Sequence, residues 1–268
     1  MTPFFSIVVV CLNAESTIAR TVSSILLQTF EDYEIIVKDG LSTDTTLVHV
    51  PHSEKVRIFQ QADIGVYDAM NQAISHCKGR YICFLNCGDV FLHSTVLQEV
   101  HEVIERKDEQ SEPVVFYGDY MRKDVVFSSP RDIYDFYLYR TPLNHQTMFY
   151  SSELFRSHGG YNTKYKILAD YEHTLRIYRA GAQFVYTGVT SIDYLGGGLS
   201  EAAHNTHLAK REYHLITAQY FTKQQLLLYR AWFTLSLQGV RALLVSDGSP
   251  KLVRTCYRFI VNKINQWR

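Results

Sequence analysis

At 268 residues, 46% hydrophobic and 20% charged, the chain has enough material for one sizeable core with a small appended module, so a soluble globular protein is the expectation. Lys plus Arg and Asp plus Glu both number 27, which leaves no charge excess to direct the chain to nucleic acid or to a strongly acidic partner. The five cysteines are odd in number and none forms a C-x-x-C pair, which argues against a disulfide framework or a zinc site and fits a reducing cytoplasm.

No basic n-region or small-residue cleavage site precedes the first apolar run, Ser6-Ile-Val-Val-Val-Cys-Leu12, which reads as a buried strand. From there to about residue 90, β-branched runs alternate with helical stretches, the pattern of βαβ units around a largely parallel sheet. Strands are expected at residues 6–12, 34–38, 56–60 and 81–85. Helices are expected at 16–28, briefly between Asp44 and Pro51, and at 66–77 with an end near Gly79. Ligands of such sheets sit at the carboxyl ends of the strands. Asn13, Asp39 and the turn from Asn86 to Asp89 fall there.

A helix over 94–106 leads into a polar surface loop, 107–112. The middle of the chain is more mixed, with strands expected at 114–117, 147–150 and 183–187 and helices at 152–157 and 170–180. The organisation reads as one catalytic domain over 1–200, a nucleotide half (1–106) followed by an acceptor half (107–200), and a helical extension over 201–268. Within the extension, 226–245 is apolar but interrupted by Arg230, Gln238 and Arg241, which favours a packed or interfacial helix over a spanning one. The tail carries Lys251, Arg254, Arg258, Lys263 and Arg268 without one acid, interleaved with apolar residues such as Tyr257, Phe259 and Trp267. That pattern suits an anionic membrane surface, and it also suits a terminal helix packed on the domain.

Three segments carry chemistry. Ile35-Ile-Val-Lys-Asp39-Gly-Leu-Ser42-Thr-Asp44 is a strand ending on a carboxylate and a glycine. Asp39 there can accept the imino N–H of a uracil or guanine ring, or simply open a turn in which Ser42 or Asp44 caps a helix. Tyr81-Ile-Cys-Phe-Leu-Asn86-Cys-Gly-Asp89 runs from a buried strand into a polar turn. Asp89 is placed to hold a hard divalent cation against a diphosphate; the competing role, capping the next helix, is better filled by Ser94. Leu168-Ala-Asp170-Tyr-Glu172 opens a helix, where Asp170 is either a general base or an acid favoured by the helix dipole. His145, after Pro142, fits ligand contact and structural hydrogen bonding equally. Cys87 lacks an electropositive setting and reads as inert.

The order of these segments resembles glycosyltransferase family 2. More narrowly, Asp63-Ile-Gly-Val-Tyr-Asp-Ala-Met-Asn71, Phe84-Leu-Asn-Cys-Gly-Asp89, Asn144-His-Gln146 and the Gly-Gly-x-Ser ending at Ser200 look like the branch that includes colanic-acid and O-antigen transferases. The resemblance covers residues 4–200. It implies an α/β, Rossmann-like GT-A fold with a mixed sheet flanked by helices, inverting transfer from a UDP- or GDP-sugar, and Mg²⁺ or Mn²⁺ at the donor diphosphate. By position it implies Asp39 at the nucleotide base, Asn13 and Asn86 at the donor, Asp89 on the metal and Asp170 as the base. The helix carrying Tyr67 and Asn71 would lie under the donor, and His145 and Gln146 would face the acceptor or the diphosphate. The implied acceptor is a saccharide on a polyprenyl diphosphate at the cytoplasmic face of the inner membrane. The nineteen tyrosines and fifteen phenylalanines could supply stacking surfaces for sugar rings.

One departure from the family pattern stands out. The common turn has three acids, Asp-x-Asp-Asp, whereas Asn86-Cys-Gly-Asp89 keeps only the last and leaves the ribose contact unassigned. Two rivals remain. A sugar-nucleotide pyrophosphorylase would need a Gly-rich basic loop where this chain has Leu12-Asn-Ala-Glu-Ser16. A non-catalytic donor-binding subunit of a polysaccharide assembly complex would share most motifs, and retention of Asp170 argues against it.

Overall fold

The structure, a computed structural model, describes residues 2–107, 113–196 and 205–235. A strand with no polar face is stable only when covered on both sides. That is the position of β1 (Phe5–Cys11), in which every residue but Val10 is buried. It lies between β2 (Tyr33–Asp39) and β4 (Tyr81–Phe84), both parallel to it, and β3 (Val56–Gln60) extends the parallel run beyond β2. α1 (Ile18–Leu26) follows β1, a 3-10 turn (Thr46–His49) follows β2, and α2 (Val66–Ile74) follows β3. α1 buries Ile18, Thr21, Val22 and Ile25, one stripe at helical spacing. Each buried Ile or Val of this core contributes about 1.5–3 kcal/mol relative to exposure.

Beyond β4 the strand directions alternate. β8 (Met148–Ser151) is antiparallel to β4 and to β6 (Val114–Arg122), and β9 (Gln183–Asp193) is parallel to β6. The edge strand β5 (Val90–Phe91) is antiparallel to β9, and β7 (Val125–Phe127) is the hairpin partner of β6. Among the described residues the result is a nine-stranded mixed sheet in the order β3-β2-β1-β4-β8-β6-β9-β5, with β7 off that path. Helices α3 (Val96–Lys107), α4 (Asp135–Arg140), α5 (Ser152–His158) and α6 (Ala169–Arg179) complete the domain, and α7 (Thr206–Tyr220) and α8 (Lys223–Leu235) follow. The α/β class and the mixed, helix-flanked sheet are as expected.

The acceptor half departs from expectation in detail. β6 and β9 run well past their expected ends, to Arg122 and Asp193, through register shifts beside Gly118. A Cβ on Gly118 would lie 2.3 Å from the Val189 carbonyl oxygen, so the two strands approach there only because Gly118 has no side chain. β7 is reached through Lys123 and Asp124, both at positive φ (49° and 60°), a tight hairpin turn made without glycine or asparagine.

The described residues fall into two units, one running to Ile216 and one beginning at Thr217. Residues 236–245 of the apolar stretch, the basic tail from 251 to 268, the glycines at 197 and 198, and Ser200 lie outside the described residues. Among the described residues no helix is long and apolar enough to cross a membrane.

Candidate active site

The carboxyl ends of β1 and β2 lie side by side, with Cys11 paired to Asp39. Asp39 is 0% exposed. Its Oδ2 accepts from the Ser42 amide at 3.0 Å and from Gln60 Nε2 at 3.4 Å, and its Oδ1 accepts from the Ser42 hydroxyl. Asn13, at φ 51°, accepts from the Thr43 amide at 2.9 Å, while its own amide donates to Ser42 Oγ at 2.8 Å. Both residues are therefore committed to shaping the 40–44 loop. Of the two readings of Asp39, a base contact or the opening of a turn, the hydrogen bonds show the turn, in which Ser42 presents two donors three residues on.

The turn after β4 is clamped from three sides. The Thr21 hydroxyl accepts from the Gly88 amide at 2.8 Å and donates to the Asp89 carbonyl at 3.0 Å. Gln146, 1% exposed, bridges the turn: Oε1 accepts from the Asn86 amide at 2.8 Å and Nε2 donates to Asp89 Oδ2 at 2.7 Å. Asp89 Oδ1 accepts from the Leu195 amide at 2.6 Å. Burial pushes the Asp89 carboxyl up, against the pull of Gln146 and Leu195. Gln146, expected to face the acceptor or the diphosphate, lines the cavity and at the same time braces the Asp89 turn.

At the start of α6, Asp170 Oδ1 accepts from the Tyr171 amide at 2.9 Å and lies 2.9 Å from the Tyr67 hydroxyl, which also reaches the Ile167 carbonyl at 2.7 Å. Oδ2 lies 3.0 Å from His145 Nδ1. Burial would raise this carboxyl; the hydrogen bond and charge of His145, with Tyr67 and Tyr171, overcome it and hold Asp170 below the usual carboxylate range. An ionised Asp170 can only accept, so the His145 nitrogen that faces it, Nδ1, is the one that carries a proton. Among the described residues, His145 Nε2 and Asn86 Oδ1 are both buried without a partner.

A cavity of about 270 Å³ joins these pieces, lined by Tyr67, Asn86, His145, Gln146 and Asp170. Asp89 does not line it and is joined to it by the hydrogen bond from Gln146, which does. Asn13 and Asp39 do not line it, and Asn71 turns away: its amide donates to the Tyr161 carbonyl at 2.8 Å and accepts from the Tyr161 amide at 2.7 Å. Sequence reasoning missed Tyr120 and Tyr194, which also line the cavity, and Thr21, which reads as an ordinary helix residue.

For a divalent cation the donor set is sparse but of the right chemistry. Among the described residues no three His, Cys, Asp or Glu side chains converge. Mg²⁺ and Mn²⁺ at a diphosphate need no such cage, since one or two protein oxygens complete a shell of phosphate oxygens and water. Among the described residues, Asp89 accepts one hydrogen bond on each oxygen, and Asn86 Oδ1, three residues earlier in the same turn, has no partner.

The family model described as glycosyl transferase family 2 matches residues 6–182. The chain belongs to that family. It is 31% identical over 219 residues to a PGL/p-HBAD biosynthesis glycosyltransferase of Mycobacterium tuberculosis, covering 78% of this chain and 84% of that one. It is 25% identical over 224 residues to an uncharacterized glycosyltransferase of Haemophilus influenzae, covering 76% and 69%. Among solved structures, the mannosyltransferase PcManGT from Pyrobaculum calidifontis in complex with GDP-Man and Mn²⁺ superposes with a TM-score of 0.64 at 15% identity, over 98% of this chain and 81% of that one. S. aureus TarS 1-349 in complex with UDP-GlcNAc gives 0.63 at 15% identity, over 91% and 76%. At that identity the likeness is one of fold, and the fold is GT-A. In this family 2 glycosyltransferase, the adjacent residues His145 and Gln146 bond Asp170 and Asp89 respectively.

Proposed function

We propose that the protein transfers a sugar, with inversion, from a nucleoside diphosphate sugar to a hydroxyl of a saccharide acceptor, and that the Asp170–His145 pair takes the acceptor proton. The observation that carries the proposal is the pair itself: a carboxylate held ionised, fixing an imidazole whose Nε2 has no partner among the described residues, in a cavity also lined by Asn86. The acceptor oxygen attacks the anomeric carbon from the side opposite the diphosphate. The bond from that carbon to the diphosphate oxygen breaks, and the hydroxyl proton passes to the pair. Asp89 and Asn86 Oδ1 would hold Mg²⁺ or Mn²⁺, which when bound neutralises charge on the departing diphosphate. Gln146 fixes Asp89 and the Asn86 backbone in one register. Asp39 and Asn13 shape the 40–44 loop as the nucleoside wall, acting through Ser42 and Thr43.

The acceptor lies on the side of a second cavity of about 350 Å³, which shares Tyr120 and Leu143 with the first and adds Phe127, Tyr137 and Arg140. Aromatic rings beside a cation suit a sugar ring with a polar or anionic continuation. The motif resemblance favours a polyprenyl-diphosphate-linked saccharide of surface polysaccharide synthesis. Attachment at an anionic membrane surface fits the basic tail and fits α8, which leaves Leu227, Leu228 and Trp232 exposed. The test of the reaction uses the full chain with Mn²⁺ and, as donors, UDP-GlcNAc and GDP-mannose, following release of the nucleoside diphosphate. Asp170→Asn is expected to lower turnover by roughly 10²–10⁴-fold with donor binding kept. Asp89→Ala is expected to abolish Mn²⁺-dependent donor binding. Wild-type turnover in Asp170→Asn would remove Asp170 from the chemistry.

A further inference from the structure

Glu212 lies on α7, beyond the stretch that matches the family, and is 4% exposed. An ionised carboxylate is unfavourable at such a depth unless its lone pairs are taken. They are taken by three successive backbone amides: Oε1 accepts from Lys166 at 2.7 Å, and Oε2 accepts from Ile167 and Leu168 at 3.0 Å each. Hydrogen bonds from backbone N–H groups to a carboxylate are charge-assisted and among the stronger ones in a protein.

Those amides belong to the segment that presents the base. Ile167 and Leu168 line the catalytic cavity, and the Ile167 carbonyl meets the Tyr67 hydroxyl. The Leu168 carbonyl accepts from the Glu172 amide at 3.0 Å, so the residue Glu212 grips is also the one that opens α6. α7 is tied down next to Glu212 as well. The Tyr213 ring stacks on Tyr171 with centroids 5.9 Å apart and planes at 8°, and its hydroxyl donates to the Tyr139 carbonyl.

We propose that Glu212 is a positioning residue for the proton-accepting pair: it fixes the 166–168 backbone so that Asp170 meets His145 and Tyr67, which makes α7 part of the catalytic apparatus. This rests on Asp170 being the group through which the base acts. A glutamine at 212 offers one acceptor oxygen in place of two and turns an N–H toward an N–H.

The test compares wild type, Glu212→Gln, Asp170→Asn and the double variant, all as full chains. Amide hydrogen exchange at Lys166, Ile167 and Leu168, read by NMR, needs no substrate. Glu212→Gln is expected to speed it at least tenfold while the amides of β1 and β2 keep their rates; unchanged exchange at 166–168 overturns the proposal. Turnover of UDP-GlcNAc and GDP-mannose with Mn²⁺ is the second readout. Glu212→Gln is expected to lower kcat at least tenfold, leave the donor KM within twofold, and add nothing to the loss in Asp170→Asn, because it acts through that residue. Losses that multiply in the double variant overturn it. Wild-type turnover in Asp170→Asn would instead defeat the base assignment, and the exchange rates alone would then decide whether Glu212 braces the segment. If Glu212→Gln does not fold, Glu212→Asp is read in its place, with the shorter arm expected to give the same signs, and wild-type values in both readouts overturn the proposal.

Discussion

The Tyr67 hydroxyl lies 2.9 Å from Asp170 Oδ1 across 103 residues of chain, so α2, from the parallel half of the sheet, holds the carboxylate at the start of α6. Tyr67 is 8% exposed and burial raises its own pKa well above the ordinary value, so it remains a neutral donor through the working range. Tyr67→Phe removes that donor and leaves the ring. The variant is expected to lose about 1.5–3 kcal/mol of stability, the range for a hydrogen bond to a charged group, and to lose turnover while keeping donor affinity. Urea unfolding and single-turnover kinetics check both; unchanged turnover would mean that the Asp170 geometry survives without Tyr67.

The acid side of the pH profile follows from the same carboxylate. Burial alone would raise the Asp170 pKa, and the hydrogen bond and charge of His145 are the largest of the effects that pull it below the usual carboxylate range. A depressed pKa keeps the ionised form down to low pH and loses it as pH falls through the folded value. His145→Ala removes the leading counterweight, so Asp170 moves up and the acid limb of the residual kcat/KM is expected at higher pH than in the wild type. An acid limb that stays in place would show that His145 does not hold Asp170 ionised.

The parallel half was legible because its signals are local. β1, β2 and β4 are largely apolar runs and β3 mixes apolar with polar residues, and their ends fall within one residue of expectation. β5, β7 and α4 were not legible: β5 has only two residues, and the Lys123-Asp124 turn carries no glycine, asparagine or proline. Asp39 and Asn13 could be placed at strand ends and a turn at Asp39 and Ser42 was one of the readings there, but no motif reports that Thr43 would bond Asn13. The Gln146–Asp89 bond joins residues 57 apart through a loop whose path depends on the whole sheet. Glu212 sits in a helix with no motif at all, and only the three amides opposite it reveal a role.

Gln146 bridges two groups, so replacing it should have two effects. Gln146→Leu keeps the bulk but leaves the Asn86 amide and Asp89 Oδ2 without their partners in a buried setting. Each orphaned group costs about 1–3 kcal/mol. The variant is expected to unfold at lower urea and to bind UDP or GDP more weakly in Mn²⁺, with little change when the metal is withheld. Calorimetric titration with and without Mn²⁺ separates the two. An equal loss in both conditions would mean that Gln146 serves the fold and not the Asp89 turn.

His173 gives a stability prediction independent of any substrate. Its ring is 0% exposed and stacks on Phe155 with centroids 4.9 Å apart and planes at 13°. Burial, followed by the charge of Arg176, pushes its pKa down from the ordinary 6.5 to about 3. With the folded value lowered, the unfolded chain takes up the proton first as pH falls through 6.5. The contribution of His173 is therefore intact above that pH and is lost progressively down to about 3, where the folded protein is protonated too. The slope in that window is about 1.4 kcal/mol per pH unit. Between pH 6.5 and pH 5 the wild type should lose about 2 kcal/mol through this residue, and His173→Phe, which fits the aromatic stack and binds no proton, should lack that loss. Urea unfolding of both proteins at the two pH values measures the difference; parallel losses would mean that His173 is not buried in its neutral form.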